Sequence, residues 1–353
     1  MSYMDLSPVA KSIFNNGGVF VPSPLALDEK KRHHEAYQRL LTLYYIRSGA
    51  KAVIPGAHTG EFALNDLELL DRWMLWISEM CHQYGDEMVL MAMVGGSRAL
   101  KQAELAVKHG YHAVMIAPTA FTGLSDAGVL GLFEDIASII PTFAFELQTT
   151  IPGSYRYSPK IWAEIFKITH GAKGASFDTY RSLVMLESAA KSSKHQELIL
   201  FTGNDDRIVA DLLGNYNFKH DQQNRCVSYK GGLLGHFATD SGAAVNWFNA
   251  IKDYRKSGQW SFELSKEELA HGVNRCNMEL FDALNNFENS VWGVKYRLSS
   301  MGLLPGPFCS HETGSRDQAA LIDNVYGEYP ALSDDQFLKE NIGALKKEVG
   351  INN

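Results

Sequence analysis

At 353 residues, 45% hydrophobic and 21% charged, the chain is long for one ordinary domain and rich enough in apolar residues for a large core, which excludes a largely disordered protein. A formal charge of −7 and the lack of any Lys/Arg block interleaved with aromatics argue against a nucleic-acid partner. No run approaches about 18 apolar residues, no basic segment leads into an apolar one at the N-terminus, and the cysteines (Cys81, Cys226, Cys276, Cys309) form no CxxC pair; a cytoplasmic protein with reduced thiols is predicted, with no membrane span, disulfide framework or metal site.

Short apolar segments alternate with amphipathic ones along the chain, the pattern of repeated βα units. Strands are predicted at 19–21, 52–54, 88–94, 113–117, 142–147, 171–175, 198–201 and 231–237. Helices are predicted between them, among others over 29–47, over 67–82 (entered through Asn65-Asp66), over 100–108 and from Ser158-Pro159, where serine caps and proline takes the first turn. Eight such units imply an α/β fold, a closed TIM (β/α)8 barrel spanning 1–254 with an N-terminal extension. Beyond Tyr254 the strand signal stops. A C-terminal helical module over 255–353 is predicted, with helices over 266–285, 291–301, 316–326 and 334–349 interrupted at Leu304-Pro305-Gly306-Pro307.

Lys173 is the most informative residue. It lies in Gly171-Ala172-Lys173-Gly174-Ala175-Ser176-Phe177-Asp178, a lone lysine among very small side chains in a segment that reads as a buried strand. An ammonium in a dry pocket loses hydration, its pKa falls, and the free amine can attack a carbonyl. A lysine that merely caps a strand would carry the same local sequence.

Four segments together resemble the dihydrodipicolinate synthase / N-acetylneuraminate lyase family. Ala52-Val53-Ile54-Pro55-Gly56-Ala57-His58-Thr59-Gly60-Glu61 is similar to its second strand and loop, and Lys173-Gly174-Ala175-Ser176-Phe177-Asp178 to the segment of its Schiff-base lysine. Thr202-Gly203-Asn204-Asp205-Asp206 resembles its loop after the seventh strand, and Gly231-Gly232 the opening of its eighth. The resemblance implies a barrel followed by helices, commonly a homotetramer built as a dimer of dimers, and a cofactor-free class I lyase or aldolase. Lys173 would form an iminium with pyruvate or a longer 2-oxo acid, whose carboxylate the loop Ala57-His58-Thr59-Gly60 would hold through backbone N–H groups and the Thr59 hydroxyl. Asn204 and Asp205 would lie at the substrate's distal end, where Arg156, following Pro152-Gly153, would hold a distal carboxylate. Gly232 would approach the ligand, a phosphate being one option.

The chain departs from the family where protons are handled. Typical members end the fifth strand with a tyrosine in Tyr-Asn-x-Pro; this chain has Thr142-Phe143-Ala144-Phe145-Glu146-Leu147-Gln148, so that position falls on Phe145 or Glu146. Pro118-Thr119-Ala120-Phe121 stands where synthases show Pro-Tyr-Tyr-Asn, and His58 replaces the first Thr/Ser of the loop. Dihydrodipicolinate synthesis is therefore not expected. Glu146, His58 and then His236 are the candidate proton carriers, while a strand-end Glu146 paired with a base such as Arg156, or structurally bonded histidines, would serve no chemistry. A 2-oxo sugar-acid dehydratase and a non-catalytic oxo-acid binder or scaffold are the competing readings.

Overall fold

A computed structural model describes residues 3–62, 66–149, 151 and 153–352. The first element is helix α1 (Pro8–Asn16), where Ser7 caps and Pro8 fills the first turn. Strands β1 (Gly18–Pro22), β2 (Ala52–Ile54), β3 (Val89–Val94), β4 (Ala113–Ile116), β5 (Thr142–Leu147), β6 (Gly171–Ala175) and β7 (Ile199–Thr202) follow. A hairpin, β8 (Tyr216–His220) and β9 (Gln223–Val227), precedes β10 (Gly231–Leu233). All strands but the hairpin pair in parallel and close a barrel in the order β1-β10-β7-β6-β5-β4-β3-β2.

Helices α2 (Glu35–Arg47), α3 (Leu67–Tyr84), α4 (Ala99–Lys108), α5 (Asp126–Ala137), α6 (Pro159–Ile168), α7 (Thr179–Lys191), α8 (Ile208–Leu213) and α9 (Ser241–Ser257) surround the barrel. As expected, Ser158 caps α6 by accepting the Ile161 N–H at 3.2 Å, with Pro159 in the first turn. Asp66 caps α3, while Asn65 lies outside the described residues. The helix predicted from 29 begins only at Glu35, because the Asp28 carboxylate accepts the N–H groups of Lys30 and Arg32 and turns the chain. The strand predicted over 231–237 stops at Leu233, and Gly235–Ala238 form a 3-10 turn.

Neither α1 nor the hairpin was predicted. The hairpin turns at Asp221-Gln222, both at positive φ, a turn usually signalled by Asn-Gly. It packs on α7, where Arg225 donates to the carbonyls of Ala190 and Ser192. Helix α1 closes the end of the barrel where the strands begin: Phe14 meets Phe20, Phe143 and Phe201 in the interior at ring distances of 5.7, 5.2 and 5.9 Å.

Strand parity divides the core. On β3 to β7 odd positions such as Met91, Met93, Met115, Phe143, Phe145 and Phe201 fill the barrel, while even ones such as Ala92, Val114, Ala144 and Leu200 pack on the helices; on β1 and β2 the parity is reversed, with Phe20, Ala52 and Ile54 inside. At β1 and β10 the interior narrows, and a Cβ on Gly231 would sit 2.2 Å from the Gly18 carbonyl oxygen.

The C-terminal helices are α10 (Lys266–Leu280), α11 (Ser290–Ser300), α12 (Arg316–Glu328) and α13 (Asp335–Glu348). The boundary expected at 254/255 falls inside α9, and buried polar contacts tie these helices to the barrel. Arg297 donates to Asp240 at 2.7 and 3.2 Å, and the Asp334 carboxylate accepts the N–H groups of Gly242 and Ala243 at the start of α9, both at 2.7 Å. No helix among the described residues is long and apolar enough to cross a membrane.

The same substitution at two glycines should act in opposite directions. Gly231→Ala forces a methyl against backbone and is expected to lower stability by roughly 1–3 kcal/mol. Gly131→Ala, on α5 where the new methyl meets nothing within 4 Å, should raise it by about 0.5–1 kcal/mol. Urea midpoints of the two variants check both signs.

Candidate functional site

The strand ends opposite α1 open into a pocket lined by Lys173, Asp205, His58, Thr59, Phe145, Gln148 and residues of the C-terminal helices and their connection. Lys173 stands on β6 at an interior position, paired in register with Phe145 and Phe201 on its two sides. Only 8% of it is exposed. Its Nζ lies 4.3 Å from the centroid of the Phe145 ring. Room for the side chain comes from Gly203, where a Cβ would lie 2.3 Å from the Lys173 Cε. Burial pushes the Lys173 ammonium well below the usual lysine range, an effect that the Asp205 charge partly offsets.

Asp205 continues the interior parity of β7 past its end. Its carboxylate faces Lys173 without a direct ion pair, accepts the His236 backbone N–H, and leaves Oδ1 without a partner. Burial raises its pKa, with Lys173 acting against that. Asp205, expected at the distal end of a substrate, instead lies beside the lysine. Its neighbour Asn204 points away from the pocket, accepting the Phe177 N–H and donating to Ser182 and Asp211 at 3.0, 3.1 and 2.9 Å. Asn204 therefore ties two loops together rather than meeting a ligand.

The ambiguity on β5 resolves by parity. Phe145 faces the pocket, and Glu146 lies on the outer face, buried and paired with Arg181 of α7. Burial raises Glu146 to about 7 even though Arg181 opposes it. Its carboxylate points away from Lys173, which removes it as a proton carrier for that amine. Arg156 is exposed, does not line the pocket and does not pair with Glu146; Pro152 beside it lies outside the described residues.

The loop after β2 forms a 3-10 turn over His58–Gly60. The Gly60 N–H is taken by the Ala57 carbonyl at 3.0 Å, and the Thr59 hydroxyl donates to the Pro22 carbonyl at 2.7 Å. Both groups are thus committed within the fold, contrary to expectation, and the N–H groups of His58 and Thr59, which lead the turn, are the ones it does not consume. His58 stands at the mouth beside Phe62, its ring 5.3 Å from the phenyl. Loss of hydration among the loop atoms, and then the Lys173 charge, push its imidazole toward the neutral form, an effect that the exposed edge of His58 weakens.

Glu61 fixes this turn from the far side. It sits at φ 59°, pairs with buried Lys295 of α11, and accepts the Ser310 N–H at 2.6 Å. Burial alone would raise Glu61, but Lys295 brings it below the usual carboxylate range.

Two further expectations are corrected. Gly232 has outward parity, and a Cβ there would meet Phe237 at 2.7 Å, so helix packing explains it better than a ligand does. The His236 ring is buried beside Trp247 and bonds Asn277 Oδ1 through Nδ1 at 2.7 Å; only its backbone N–H serves the pocket, through Asp205. No group of three or more His, Cys, Asp or Glu among the described residues could hold a metal ion.

The C-terminal contribution, namely Phe281, Asn286, Phe287, Ser290 and Val291, was not predicted, nor were Phe62 and Phe177. Positive φ at Phe62, Phe177, Asn286 and Phe287 (44°, 51°, 53° and 64°) marks three of the lining segments as strained. No sequence signal announced that strain.

No family model matches the chain, and no curated protein matches it. Solved structures do. Dihydrodipicolinate synthase from Bacteroides thetaiotaomicron is 15% identical with a TM-score of 0.72, the similarity covering 92% of this chain and 100% of that one. N-acetylneuraminate lyase from Mycoplasma synoviae is 15% identical with a TM-score of 0.67, over 89% and 98%. A prophage protein of the dihydrodipicolinic acid synthase family from E. coli K12, in complex with pyruvate, is 12% identical with a TM-score of 0.71, over 89% and 99%. The closed barrel with its C-terminal helices is thus the fold of the dihydrodipicolinate synthase and N-acetylneuraminate lyase structures.

Proposed function

We propose that the protein is a Schiff-base lyase or aldolase acting on pyruvate or a longer 2-oxo acid. The observation that carries this reading is Lys173, a desolvated amine inside a barrel at the end where its pocket opens. In that state a larger fraction is neutral near pH 7 than for an exposed lysine, and a neutral amine can attack a keto carbon. Loss of water gives an iminium, the N–H groups of His58 and Thr59 receive the carboxylate, and the Phe145 ring face lies where it favours the positive charge. The iminium draws electrons from the neighbouring carbon. Asp205, with its unpartnered oxygen, takes the proton from that carbon to leave an enamine, and later returns a proton to the alkoxide formed when the enamine adds to a carbonyl. Cleavage runs through the same steps in reverse.

Borohydride reduction in the presence of pyruvate and a panel of longer 2-oxo acids should leave a covalent adduct, seen by intact mass, that disappears in Lys173→Ala. A folded protein that binds an oxo acid but gives no adduct would make it a binder instead.

The pH dependence has a defined sign. Adduct formation should rise with pH through a midpoint below the ordinary lysine pKa of 10.5. Since the Asp205 charge raises the Lys173 pKa, Asp205→Asn should move that midpoint to lower pH while trapping persists. Exchange of the pyruvate methyl protons with solvent, followed by NMR in D2O, should fall about 10²-fold or more in the same variant. A midpoint that does not move would separate Asp205 from the lysine.

A further inference from the structure

Beyond Lys173 and Asp205, the pocket changes character. Three phenylalanines enter it from separate segments: Phe62 after β2, Phe177 after β6 and Phe287 between α10 and α11. All three sit at positive φ, 44°, 51° and 64°, a conformation uncommon for any residue with a side chain and a true outlier for a bulky one. Strain of this kind persists only where the surroundings enforce it. Phe177 and Phe287 face each other with ring centroids 5.8 Å apart at 56°, and each of the three rings is only half buried. Leu147, Ile151 and Phe281 extend the same apolar surface. The polar side chains nearby are few, His58 beside Phe62 and then Gln148, Asn286 and Ser290, whose buried Oγ has no partner.

A polyhydroxylated chain would set hydroxyls against these rings, and each one buried without a partner is costly. A flat apolar group would instead gain ring contacts and remove half-exposed phenyl surface from water. We propose that the carbonyl compound joined to the oxo acid at Lys173, or released from it, is an aromatic aldehyde held among Phe62, Phe177 and Phe287. This inference rests on the Schiff-base reading and names its second substrate. With pyruvate, the enamine carbon bonds to the aldehyde carbon, the aldehyde oxygen takes a proton as its π bond opens, and water hydrolyses the iminium. The product is a 4-aryl-4-hydroxy-2-oxobutanoate and the free Lys173 amine returns, with no oxidant or reductant required. The cleavage direction releases pyruvate and the aldehyde. Ser290 offers a hydrogen bond to one polar substituent on the ring.

The test has two stages on the full chain. Pyruvate trapping at Lys173 comes first, and its absence overturns the Schiff-base reading and this inference with it. Where trapping succeeds, the protein is given pyruvate with benzaldehyde, 2-naphthaldehyde, glyceraldehyde, erythrose or N-acetylmannosamine, and aldol products are measured by mass spectrometry. The expected result is a kcat/KM for the aromatic aldehydes at least about tenfold above that for the hydroxylated ones. Phe177→Ala and Phe287→Ala should raise the KM for benzaldehyde by about tenfold, with a smaller change in Phe287→Leu, which keeps apolar bulk without a ring. Trapping with pyruvate followed by preferred turnover of the hydroxylated aldehydes, or of none of the five, overturns the aromatic assignment and leaves the Schiff-base reading standing. Unchanged KM values in the folded Phe177 and Phe287 variants overturn it as well.

Discussion

An ammonium held inside a closed barrel has to give up most of its water, and much of the architecture around Lys173 bears on that requirement. Its neighbours on the same strand are glycine and alanine, its register partners are Phe145 and Phe201, and Gly203 leaves the space its stem occupies. With so little water, the amine is drawn toward its neutral form, and Asp205, a carboxylate with one unpartnered oxygen, is the opposite charge that tempers the effect. Two coupled groups of this kind, each pushed toward neutrality by burial, can exchange a proton near physiological pH at modest cost. The Phe145 ring adds its face to the stabilisation of positive charge without adding a titrating group.

The pocket depends equally on helices that belong to no strand. Helix α11 supplies Ser290 and Val291 and carries Lys295, whose pairing with Glu61 holds the turn that offers the His58 and Thr59 N–H groups. A buried ion pair of this type contributes little net stability, but removing one partner strands the other charge. Its value lies in geometry. Arg297 of α11 and Asp334, which precedes α13, both dock on the start of α9, so the loop after β2, the start of α9 and the C-terminal helices form one mechanically connected body. Asp205 joins the same arrangement through the His236 N–H and through Asn277 of α10, whose side chain donates to the Asp205 carbonyl at 2.7 Å.

Most barrel strands could be read from the chain because each is a short apolar run between turn signals, and Lys173 stood out because a charge among the smallest residues is anomalous. What could not be read was direction. Phe145 and Glu146 are adjacent, and only the pairing of Lys173 with Phe145 tells which one shares its face. The same limit moved Asp205 from a distal role to a place beside the amine, and Gly232 out of the pocket. Arg181 was invisible as the partner of Glu146 because the contact joins a strand to a helix from the following unit. The strained phenylalanines were equally hidden, since left-handed backbone at a bulky residue is imposed by tertiary contacts against local preference.

Helix α1, with Phe14 set among the interior rings, stops the barrel at the end where its strands begin. Among the described residues, the doorway to Lys173 is the one bordered by Phe62, Phe177 and Phe287. Traffic through one doorway has a sequence. In the proposed reaction the oxo acid would arrive first, because an aldehyde already lodged among the rings would bar its path to the amine, and in the cleavage direction the aldehyde would depart before pyruvate. A plug at one end of the barrel would thus set the order of binding and release at the other for the proposed substrates.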